Sequence, residues 1–133
     1  MVRDQELREK LFIAREMQSY HAPYEREYGF YNAVQLGDVK TIRQKYLATP
    51  IHEKDGLGTL SFSETRSILY HVIISIAMVT RYCIEGGMEM ETAYNMSDIY
   101  IQNIDKCTSD EQVQTLHREI LEVYTKRMQT IRK

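Results

Sequence analysis

The run over residues 63–85 constrains this chain more than any other feature. Ile68, Leu69, Val72, Ile73, Ile74, Ile76, Ala77, Met78 and Val79 leave little of it polar. As a helix it would be about 35 Å long at 1.5 Å per residue. A helix apolar on most faces must be covered on most faces, which predicts the buried centre of a bundle. Its β-branched residues lower intrinsic helix propensity, so neighbouring elements must hold it by packing. Ser61 with Glu64 three residues on reads as a capping box, and Gly86-Gly87 as the stop. His71, Ser75, Thr80 and Arg81 interrupt the apolar stretch, which reads as too short and too polar for a membrane span of about 20 apolar residues.

The rest of the chain carries helical spacing too. Leu7, Leu11, Ala14 and Met17 form one stripe, and a break follows at residues 19–22. Pro23 suits the first turn of a second helix, which runs through Tyr28, Tyr31 and Val34 to a stop at Gly37. Asp38 can cap a third helix bearing Val39, Ile42, Tyr46 and Leu47, ended by Pro50. Residues 30–42 look like the inner part of an ankyrin repeat. No second copy follows, so they read as a local helix hairpin and not as a solenoid. Residues 49–60 read as a loop with Asp55-Gly56 and Gly58 as its turns. Residues 90–106 read as two helical pieces broken near Asn95-Met96-Ser97, with Asp98 capping the second. Ser109, with Gln112 at the box position, starts a last helix whose stripe is Val113, Leu116, Ile120, Val123 and Met128. Its four basic residues between 126 and 133 suit the negative end of a helix dipole. The fold expected is all-α: a compact bundle of about six to seven helices around the central helix at about 63–85.

Composition agrees. A length of 133 residues fits one domain, read as 1–133. Six Gly and two Pro are too few to turn the many short strands of an all-β fold. A net charge of −2 suits a soluble protein that does not grip a phosphate backbone by itself. Cys83 and Cys107 stand far apart without His or Cys at metal spacing, so they read as buried thiols in a reducing compartment. The charged N-terminus lacks the apolar stretch of a signal peptide, and a cytoplasmic location follows.

Three stretches stand in order: Glu27-Tyr28-Gly29-Phe30-Tyr31-Asn32-Ala33-Val34-Gln35-Leu36-Gly37-Asp38; Thr80-Arg81-Tyr82-Cys83-Ile84-Glu85-Gly86-Gly87-Met88 running into residues 91–102; and Leu116-His117-Arg118-Glu119 through Tyr124-Thr125-Lys126-Arg127-Met128. Together they resemble the helical N-terminal region of a group of AraC/XylS-type transcriptional regulators from Gram-positive anaerobes. The resemblance is most specific over residues 81–102. It implies a regulatory domain followed by two helix-turn-helix motifs, which this chain does not contain. It transfers no effector and no ligand residues.

Candidate site residues come from the residues themselves. Arg81 and Glu85 lie one turn apart and read first as a structural ion pair. Arg81 can also receive an anionic effector on its planar fork. His71 among aliphatic residues reads as a satisfied core histidine, and His117 beside Arg118 and Glu119 as a surface or rim residue. Tyr82 and Tyr94 join Arg81, Glu85 and His71 as the candidate effector-binding set. Leu116, Ile120, Val123 and Met128 form the candidate dimer or interdomain face.

A helix-turn-helix over 91–103 is disfavoured, because its second helix carries Asp98 and Asp105 and no base before Lys106. No glycine-rich phosphate loop, nucleophile elbow or paired histidines appear, and neither catalysis, a metal nor a cofactor is expected. Cys83 and His71 would lie three turns apart on one helix, too far for a catalytic pair. The reading is a non-catalytic effector-sensing or dimerising domain, homodimeric, that meets DNA only through a following domain. The alternative is a free-standing helical adaptor for a protein partner.

Overall fold

The computed structural model describes residues 3–48 and 56–133. Its elements are α1 (Asp4–Met17), α2 (Tyr24–Gln35), α3 (Val39–Thr41) running into a π-helical turn (Ile42–Tyr46), α4 (Glu64–Glu85), α5 (Met90–Asp105) and α6 (Asp110–Ile131). Among the described residues there is no strand, and the fold is an all-α bundle. α4 lies at its centre, against α2, α5 and α6. Val72, Ile76, Val79 and Cys83 of α4 are fully buried. They join Val34 and Ile42, Ala93 and Ile104, and Ile120, Tyr124 and Met128 in one core.

Local chemistry explains the ends. Ser63 caps α4 by accepting from the Arg66 N–H, while Ser61 Oγ accepts from the Ser63 N–H. The cap is therefore two residues later than the Ser61 box predicts. Pro23 sits just before α2 and not inside its first turn. Asp38 caps α3 as expected, accepting from both the N–H and the hydroxyl of Thr41. Ser109 caps α6 through the Gln112 N–H, and Gln112 answers by accepting from the Thr108 N–H. The π turn closes with Leu47 N–H on the Ile42 carbonyl and sets the Tyr46 ring 4.9 Å from that of Phe30. Pro50 and Asp55 lie outside the described residues.

Gly37 is fixed by two constraints. Its φ is +71°, and a Cβ there would lie 2.3 Å from the Gln129 backbone nitrogen. The α2–α3 turn therefore seats directly on the backbone of α6. At the same end the Arg132 guanidinium donates to the Gly86 carbonyl at 3.1 Å.

Four expectations change. By length and composition alone α4 is long and apolar enough to cross a membrane. In the bundle, however, it buries one face, and Ile74 and Tyr70 on it remain exposed. α5 is one unbroken helix, capped by Glu89, so Asp98 caps nothing and the turn that a helix-turn-helix needs at 95–97 is absent. Ser97 is buried on the same face as Ala93 and Ile104, so packing outweighs the low helix propensity of the Asn95-Met96-Ser97 run. Cys83 is buried, which pushes its thiol up to about 12, but Cys107 is only half-buried. Finally, α1 contributes no buried residue: Leu11, Ile13 and Met17 are 51%, 58% and 72% exposed.

The centre holds one polar pair. Thr80 Oγ1 donates to the Ile76 carbonyl at 2.7 Å and lies 2.8 Å from the Tyr124 hydroxyl. With the threonine proton already committed, Tyr124 is the donor to Thr80.

Candidate functional site

A cavity of about 410 Å³ opens between the α1–α2 connection, α2, the π turn, the 56–58 segment, α4 and α6. Two hydrogen bonds hold the 56–58 segment as one wall. Ala22 N–H donates to the Gly56 carbonyl at 3.0 Å, and His71 Nε2 meets the Gly58 carbonyl at 2.6 Å. A carbonyl can only accept, so His71 carries its proton on Nε2. His21 packs against Gly58, where a Cβ would come within 2.8 Å of the imidazole.

Phe30, Tyr46, Leu47, Leu57, Ile74 and Leu121 supply apolar wall. The charged lining is Arg26, Lys45 and Arg118 against Glu27 alone. Tyr31, also in the wall, is held far above the usual phenol range, by burial first and then by the Glu27 carboxylate to which its hydroxyl is bonded. Helical spacing of four residues makes that bond possible.

His117 is a buried polar group of the lining. It is 6% exposed, and its Nε2 lies 2.9 Å from Ser75 Oγ. Burial, with a smaller contribution from Arg118, pushes its imidazole down to about 4. At neutral pH it is an uncharged donor–acceptor fixed by Ser75. The surface position expected from its charged neighbours is thus corrected. The helical period held the signal: position 117 falls four after Val113 and three before Ile120, on the buried face of α6.

Of the five candidate effector residues, only His71 lines the cavity. Arg81 is exposed, donates to the Ala77 carbonyl at 2.8 Å and sits 5.8 Å over the Tyr94 ring. It therefore makes a local cation–π contact and no ion pair with Glu85, which is also exposed. Among the described residues the ion pair formed is Arg43–Glu122. Tyr82 stacks on Tyr31 at 5.0 Å and accepts at its carbonyl from Gln35 Nε2.

The candidate dimer face on α6 is largely used up inside the fold. Ile120 and Met128 are buried and Leu116 is half-buried, so only Val123 is exposed. Among the described residues no group of three or more His, Cys, Asp or Glu is placed to hold a metal ion.

Sequence reasoning missed His21, Arg26, Glu27, Lys45, His117 and Arg118. They come from four segments, at 21, 26–27, 45 and 117–118, and no local spacing links one segment to another. Comparison with family models, with curated proteins and with solved structures gives no match to this chain.

Proposed function

We propose that this chain is the non-catalytic regulatory region of an AraC/XylS-type transcription factor, cytoplasmic and dimeric, with an effector cavity that controls a following DNA-binding domain. The observation that carries the reading is the cavity itself. It joins a buried polar group, His117, to an apolar wall, and α6 forms one side of it. The resemblance of residues 27–38, 80–102 and 116–128 to such regulators supplies the regulatory context. An effector that fits the cavity in one arrangement of α6 better than in another would shift the population between them.

The dimer finds support on α1. Leu11, Ile13 and Met17 of α1 stand uncovered, and a second copy of α1 is the surface that would bury them.

Reading the gene beyond the Lys133 codon tests the proposal. Two basic helix-turn-helix units are expected there, and a stop codon would overturn it. The uncovered α1 is also what an adaptor would present to a different protein. That second reading gains if the chain stays monomeric.

A further inference from the structure

We propose that the cavity binds a flat organic anion of one or two rings, which gives the effector of the proposed regulatory domain a chemical class and rests on that reading. Charge is the first argument. The lining sets three permanent cations against one carboxylate, in a chain whose net charge is −2. Glu27 is already bonded by Tyr31. Arg26 is engaged as well. Lys45 forms no ion pair among the described residues, and half-buried Arg118 spends one nitrogen on the Thr115 hydroxyl at 3.4 Å. A cationic guest would meet two like charges and a carboxylate already in use. An anion would meet Lys45 and Arg118, which line the same cavity as the neutral imidazole of His117. Two cations match one carboxylate or phosphate group and fall short of a polyphosphate.

Shape is the second argument. Phe30 and Tyr46 meet nearly edge-on, with ring planes at 65°, which leaves aromatic surface toward the cavity. Ile74 of α4 also lines the cavity, 48% exposed although its helix is the central one. An apolar β-branched side chain left uncovered at the mouth of a cavity is what a ring would cover. A volume of about 410 Å³ lies in the range of sites that enclose small organic ligands.

The probe is 2-naphthoate, compared with 2-naphthamide, which keeps the ring and drops the charge, and with inorganic phosphate, which does the reverse. The chain has no Trp, so naphthalene fluorescence is read without indole background. The expected result is saturable naphthoate binding at least tenfold tighter than that of either comparison compound. The Lys45→Ala/Arg118→Ala double variant should weaken it at least tenfold while helicity and unfolding temperature hold. Imidazole NMR signals of His71 and His117 should move on binding and locate the ligand. Equal binding of naphthamide, no saturation up to millimolar naphthoate, or binding that moves neither imidazole would overturn the proposal. Its fate separates from that of the regulator reading. Loss of binding in a gene that does encode helix-turn-helix units sinks only the ligand class. Tight binding in a chain that stops at Lys133 sinks only the regulator.

Discussion

His117 ties its own protonation to the fold. Its imidazole titrates near 4 when buried and near 6.5 when unfolded. The folded chain therefore holds the neutral form, and the stability this represents is present above about pH 6.5 and lost as pH falls toward 4. Urea unfolding should show roughly 2–3 kcal/mol of this loss between pH 7 and 4.5, a loss that His117→Gln removes. If the glutamine variant loses as much, other groups carry the acid sensitivity. Tyr124 and Thr80 test a different coupling. Thr80→Val strips the buried Tyr124 hydroxyl of its acceptor and should cost about 1–3 kcal/mol. Adding Tyr124→Phe should restore part of that, with a coupling of about 0.5–3 kcal/mol in a double-mutant cycle of denaturation midpoints. Additive costs would mean that the two hydroxyls do not depend on each other.

Elements differ in how much of them the sequence shows. Caps and stops are local, so Asp38, Ser109, Gly37 and Gly86 announce α2, α3, α4 and α6 within a residue or two of their ends. α5 is misread at Asn95-Met96-Ser97 because propensity is local, whereas the cover over Ser97 is tertiary. α1 shows the opposite limit. Its stripe is legible, but periodicity cannot say whether another element lies across from it. The cavity was hardly legible at all, since His21, Lys45, His71 and His117 meet only after four segments pack. The two helix-end glycines offer a matched test. Gly37→Ala meets both a positive φ and the Gln129 backbone, whereas Gly87→Ala, at φ +115°, meets only Ile131 Cγ2 at 3.6 Å. Thermal unfolding should show the Gly87 variant losing about 1–2 kcal/mol and the Gly37 variant clearly more. Equal losses would mean that the α2–α3 turn can lift off α6 at no cost.

The whole molecule is set by what it leaves uncovered. Sedimentation equilibrium should find a dimer at micromolar concentration. The Leu11→Glu/Ile13→Glu variant should be monomeric with unchanged core stability, because neither side chain touches the core. A wild-type monomer would remove α1 as a self-association surface. One contact described above also limits how the bundle can yield. Because backbone meets backbone where Gly37 seats on Gln129, α6 has no room to slide past the α2–α3 turn, and tilting is the freedom left to it. His117 lies twelve residues away along the helix, a lever arm of about 18 Å. A tilt of about 10° pivoting at Gln129 would carry the cavity wall by about 3 Å. The seat of a single hydrogen atom in place of a methyl group thus works as a fulcrum, and a larger residue at position 37 would unseat the helix together with its pivot.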